Sequence, residues 1–173
     1  MELYHDFKEL LELFNAQKIE YINCGRLCAG ISWSSTYTGD IDILIRPNSE
    51  NARRVLTALD EFGFGSVGLT EEDFKILDKV VQLGVPPVRV DFMTSITGVA
   101  TDDVFSRCVK GKYGDIPVKY IGRDEFILNK RATGRKRICQ IWKLLGKNNK
   151  MVRQIRIMQA AFCISFKWPR FCR

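Results

Sequence analysis

Apolar residues near the start of the chain recur at helical spacing. Phe7, Leu10, Leu11 and Phe14 fall on one face of a helix predicted from about Leu3 to Ala16. "IEYINC" (19–24) is a short apolar run that reads as a buried strand ending at Gly25, and a short helix is predicted from Arg26. "TYTG" is a turn-like approach to "DIDILIRP", a strand stopped by Pro47. Ser49 is placed to cap a helix over "SENARRVLTALDEFG" that ends at Gly63 or Gly65, and Thr70 to cap a second turn rich in acids. "KVVQLGV" and "VRVDFMT" read as two strands joined through Pro86 and Pro87, and "TDDVFSR" as a short helix. "CVKGKYGDIPVKYI" reads as a hairpin turning at Tyr113-Gly114-Asp115, and "GRDEFILNKRATG" as a final helix. Irregular alternation with a late hairpin predicts an α+β domain, a small mixed β-sheet flanked by helices. No internal repeat is visible.

Composition agrees with a single globular domain for most of the length. The chain has 173 residues, 46% of them hydrophobic, enough for a sizeable core. Charge changes that picture at one end. Glu125 is the last carboxylate, and thirteen Lys and Arg follow it, whereas residues 1–125 carry fourteen bases against twenty acids. The formal +7 is thus the sum of an acidic part and a strongly basic one. Residues 1–135 are read as the domain and 136–173 as an atypical, poorly ordered basic tail. Six cysteines (Cys24, Cys28, Cys108, Cys139, Cys163, Cys172) form no CxxC pair and His5 is the only histidine, which argues against a zinc site. The opening "MELYHDFKELLELFN" has no secretory character, and no apolar run approaches the roughly 18 residues that span a bilayer. A cytoplasmic location with reduced thiols and no membrane partner is the expectation.

The stretch with chemical content is "TGDIDILI". Asp40 and Asp42 are two apart on a strand, so both carboxylates project from one face. Paired anions there call for a cation or bases between them, and hard oxygen donors with open positions suit Mg²⁺. Asp91, in "VRVDF", is flanked by strand-forming apolar residues and needs a partner of its own. If its strand neighbours that of Asp40 and Asp42, three carboxylates converge. Acids at strand ends are also commonly solvated charges, and a glycine such as Gly25 closing a strand is more often a plain turn glycine than a phosphate contact.

In order, "INCGR", "TYTGDIDILIRP", "VRVDF" and "LNKRATGR" resemble the bacterial nucleotidyltransferase-like family related to abortive-infection toxins of the AbiEii kind. The resemblance runs from Asp6 to Arg135. It implies a nucleotidyltransferase fold and Mg²⁺-dependent transfer of a nucleotidyl group from an NTP to a hydroxyl of an RNA (tRNA) or protein acceptor, in a toxin–antitoxin or phage-defence setting. By the same resemblance Asp40, Asp42 and Asp91 hold two Mg²⁺ ions, and Asp91 is also the base toward the acceptor hydroxyl. Gly25, Arg26, Thr38, Lys130 and Arg135 are the nucleotide-binding positions. This chain departs from the family where Arg26 stands in place of a second Gly or Ser. It departs again in "CAGISWSST", which offers Ser32, Trp33 and Thr36 where the family has His-Gly and Arg. These departures keep open a catalytically degenerate relic or binding module.

The family continues past "GR" with a helix of the type "KDLxDLxAL", which "KRICQIWKLLGKNN" does not match. One allowed set of codons for Lys136 to Asn149, read from the third base of the first codon, gives Lys-Asp-Leu-Pro-Asp-Leu-Glu-Ala-Ile-Arg-Lys-Lys-stop. The fixed TGG of Trp142 followed by a Lys codon forces the Glu. The tail is therefore read as the expected helix in a shifted frame. The competing reading is a basic arm whose aromatics (Trp142, Phe162, Phe166, Trp168, Phe171) contact nucleic acid.

Overall fold

A computed structural model describes residues 5–25, 40–85 and 88–134. Its elements belong to one compact unit, Met1–Thr133. In chain order they are α1 (His5–Ala16), β1 (Tyr21–Asn23), β2 (Asp40–Ile45), α2 (Ser49–Leu59), α3 (Glu71–Lys75), β3 (Val80–Val85), β4 (Val88–Met93), α4 (Thr101–Ser106), β5 (Val109–Tyr113), β6 (Ile116–Tyr120) and α5 (Arg123–Ala132). The predicted helix from Arg26, the "TYTG" approach, the Pro86-Pro87 link and the tail from 135 lie outside the described residues.

The strands form one six-stranded mixed sheet in the order β3-β4-β2-β1-β6-β5. The α+β expectation, a mixed sheet flanked by helices, is met. β2 is the hinge of the arrangement, antiparallel to β1 and parallel to β4. The β1–β2 pairing joins successive strands, whereas β2 and β4 are separated by α2, α3 and β3. The predicted hairpin is formed by β5 and β6, with Tyr113 opposite Ile116.

Period two along β2 separates its faces. Ile41, Ile43 and Ile45 point into the main core, where they meet Phe7, Leu10, Leu11 and Phe14 of α1 and Val55 and Leu59 of α2. Phe14 stacks on Phe92 of β4 at 5.8 Å between centroids, and Phe74 of α3 meets the same ring edge-on at 6.0 Å. The opposite face carries Asp40, Asp42 and Leu44. Leu44 and its β1 neighbour Ile22 are fully buried there, so this face is covered at their end and partly exposed at Asp40. Arg46 continues the same face and pairs with Glu20 and Asp102, with its guanidinium 4.2 Å over the Phe105 ring of α4.

Two helix boundaries differ from the sequence reading. Asn48, not Ser49, caps α2, because the Asn48 side chain accepts from the Asn51 N–H at 2.8 Å and Ser49 is already helical. Past Leu59 the chain runs through a wide π-type turn, Asp60–Phe64, in which Gly63 takes a φ of 102° that ordinary residues avoid. Thr70 caps α3 as expected, in a capping box completed by Asp73.

Asn51 ties α2 to the ends of both central strands. Its side chain accepts from Glu20 N–H (2.8 Å) and donates to the carbonyls of Glu20 and Arg46 (both 3.0 Å), while being only 2% exposed. Asn51→Leu strands those groups and is expected to cost about 2 kcal/mol. Urea unfolding should show a lower midpoint at unchanged slope.

Tyr21 makes a second, pH-dependent prediction. Burial, reinforced by the neighbouring Tyr120, pushes its phenol well above the ordinary value, and its hydroxyl donates to Asn15 Oδ1 at 3.2 Å. Below about pH 10 the phenol is neutral in both folded and unfolded chains. Above that pH the unfolded chain ionises first and binds fewer protons, so stability falls as pH rises. The urea midpoint should drop as pH rises past about 10, and Tyr21→Phe should flatten that drop.

Candidate functional site

The parallel register of β2 and β4 sets Asp42 opposite Asp91 and Asp40 opposite Arg89. All four side chains share the face opposite the main core, since each lies an even number of residues from its partner's position. The strand neighbourhood on which the sequence reading depended is present: Asp40, Asp42 and Asp91 lie on two adjacent strands of one sheet.

Arg89 lies between two of them. Its Nη2 donates to Asp40 Oδ2 at 2.9 Å and to Asp91 Oδ2 at 3.3 Å, while its Nε donates to Asp91 Oδ1 at 3.0 Å. Gln82 of β3 adds a donor to Asp91 Oδ1 at 3.2 Å. Asp91 is the least exposed of these charged groups, at 15% against 32% for Arg89 and 42% for Asp40. An acid so placed needs partners, and it has two. The sequence carried the signal for Arg89, which stands two residues before Asp91 in "VRVDF" and so shares its face. Gln82 was not legible, because only the β3–β4 register brings it opposite Asp91.

Gly25 sits at the same edge. Cys24 N–H donates to the Asp42 carbonyl at 2.8 Å, which carries β1 alongside Asp42 up to the turn. A Cβ on Gly25 would make only ordinary contacts, 3.4 Å from Asp42 N and 3.5 Å from Asp42 Oδ2, which places this buried turn against that residue. The turn is shaped by Asn23, whose Oδ1 accepts from Gly25 N–H at 3.1 Å. Asn23 is fully buried and its Nδ2 has no hydrogen-bond partner among the described residues, an unusual state for a buried amide. Sequence reading passed over Asn23.

Lys130 is on α5, with its ammonium 5.0 Å from the Phe126 ring centroid, and it makes no ion pair with Asp40 or Asp91. Arg26, Ser32, Trp33, Thr36, Thr38 and Arg135 lie outside the described residues.

Whether these groups suit Mg²⁺ can be judged from their chemistry. The donors are hard carboxylate oxygens, as that ion requires. As they stand, no three His, Cys, Asp or Glu side chains among the described residues are gathered closely enough to hold a metal ion. Arg89 uses the oxygens of two of the three acids. The donor chemistry is of the kind a divalent cation takes, whereas the arrangement is one of acids paired with Arg89.

Comparison of the chain with family models, with curated proteins and with solved structures finds no match.

Proposed function

We propose that this chain is a nucleotidyltransferase-like protein that moves a nucleotidyl group from an NTP to an acceptor hydroxyl. The observation that carries the reading is the β2–β4 register, which puts Asp42 opposite Asp91 with Asp40 two residues along the same face, beside the Gly25 turn. Asp40, Asp42 and Asp91 would hold the Mg²⁺ ions. When bound, the ions would supply charge neutralisation for an in-line displacement in which the acceptor oxygen bonds the α-phosphorus and pyrophosphate leaves. Asp91, which Gln82 holds by a hydrogen bond, would take the proton of the acceptor hydroxyl at a carboxylate oxygen. The Gly25 backbone gives phosphate oxygens a close approach. Lys130 is proposed as a further phosphate contact, by its place on the last helix in the resembling family. An RNA or protein acceptor and a toxin–antitoxin setting rest on that resemblance.

A second reading, a binding module without transfer, is favoured by Arg89 standing where a cation would. One experiment separates the two. The protein is incubated with α-labelled NTPs, Mg²⁺ and candidate acceptors (tRNA, a partner protein, the chain itself). Label transfer by wild type that is lost in Asp40→Ala supports the enzyme. Absence of transfer by wild type, or equal transfer by the variant, defeats it.

A further inference from the structure

We propose that the outer face of the β5–β6 hairpin is a docking surface for the phosphodiester backbone of a nucleic-acid strand, held by Lys110, Lys112 and Lys119. The inference goes beyond the transfer reading and does not rest on it.

Ile116, Val118 and Tyr120 turn one face of β6 into the main core, so period two sends Lys119 to the other face. The antiparallel register sets Lys110 opposite Lys119, and Lys112 follows two residues along β5 on the same side. All three are exposed. Tyr120 firms the platform from beneath. A Cβ on Gly111 would stand 2.8 Å from Cε2 of Tyr120, so only glycine leaves room for that ring. The Tyr120 hydroxyl then donates to the Lys112 carbonyl at 3.1 Å. Carried through β1, the registers put the three lysines on the side of the sheet that bears Asp40 and Asp42.

Charge is concentrated here against the trend of the domain. Residues 1–125 carry more acids than bases, yet β5 and β6 hold three lysines and no acid. Arg46, Arg53, Arg54, Arg89 and Arg107 each pair with an acid, whereas none of the three lysines does so among the described residues. Like charges directly opposite destabilise a hairpin. Lysines on an edge strand discourage further strand pairing, which explains Lys110 and Lys112. It does not explain Lys119, which is on the inner strand, between β5 and β1. An anion that spans both strands explains all three, because it offsets their repulsion. The lysine positions are about 5 Å apart across the strands and about 7 Å apart along β5. A row of phosphates meets that spacing, and an isolated carboxylate does not. Tyr113 and Tyr120 turn inward, so this face offers phosphate contacts without base stacking, and recognition is independent of sequence.

Fluorescence anisotropy of labelled oligo(U) and oligo(dT) with the full chain, over a series of KCl concentrations, tests this. Replacing the three together (Lys110→Gln, Lys112→Gln, Lys119→Gln) should weaken binding about tenfold at low salt. The slope of log affinity against log salt should become shallower by about 2, at about 0.7 per phosphate contact. The stronger of the two probes identifies RNA or DNA as the preferred strand. A control with equal loss of charge elsewhere (Lys8→Gln, Lys18→Gln, Lys75→Gln) should bind like wild type. Lys119→Gln alone should raise the Tm, because it removes the cross-strand repulsion. Three results overturn the inference: no binding by wild type, unchanged binding by the hairpin variant, or equal weakening by the control. Loss of phosphatidylserine-vesicle binding in the hairpin variant, with binding to both oligonucleotides unchanged, overturns it in favour of a membrane surface.

Discussion

Phe92→Ala is expected to lower the free energy of unfolding by about 3–5 kcal/mol. The ring is 1% exposed, stacks on Phe14, meets Phe74 edge-on, and sits on β4 in register with Ile43 of β2. Removing it opens a cavity where α1, α3 and the centre of the sheet meet, and a backbone pinned by pairing on both sides of β4 cannot collapse to fill it. Against a total stability of about 5–15 kcal/mol this is a large fraction. The denaturant midpoint should fall steeply, with a slope close to that of wild type. Phe92→Leu, which keeps most of the volume, should lose less than half as much. A loss below about 1 kcal/mol for the alanine variant would contradict the aromatic cluster as the centre of the core.

Asp42→Asn is expected to reduce nucleotidyl transfer by at least about a thousandfold. Under the proposed chemistry this carboxylate is central, facing Asp91 across the strand boundary and flanked by Gly25. Asparagine keeps the shape but loses the charge. The several kcal/mol of charge stabilisation at stake correspond to about three factors of ten in rate. Initial rates of label transfer, taken with the melting temperature, check this: the rate should collapse while the Tm holds near that of wild type. Retention of transfer within about tenfold of wild type would remove Asp42 from the chemistry.

Much of the local structure was legible in the sequence because local signals decide it. The 3.6-residue spacing of Phe7, Leu10, Leu11 and Phe14 marked α1, and all four are buried. The Thr70 cap and the Gly114 hairpin depend on neighbours within four residues. The N-terminus of α2 was misplaced by one residue because Asn48 and Ser49 are both good caps, and only the side-chain geometry selects between them. The π-type turn at Asp60–Phe64 leaves no periodic trace. For the candidate site, the acids were visible by their spacing, but their meeting was not. The parallel pairing of β2 with β4 is a long-range choice that no local pattern encodes, and the role of Arg89 follows only from that pairing.

That same pairing has a consequence for how the chain reaches its native state. Asp40 and Arg89 are 49 residues apart, and the parallel contact between their strands forms only after the intervening segment has been brought round. The β5–β6 hairpin and the α1 and α2 helices close over short distances and can form early, whereas β2 meets β4 only after a large loop-closure entropy has been met. The acidic strand "DIDILI" therefore spends part of folding, and of synthesis, without the arginine that later neutralises it. Assembly of the site is a late event, and substitutions within β4 should register in the rate of folding as well as in the stability of the finished domain.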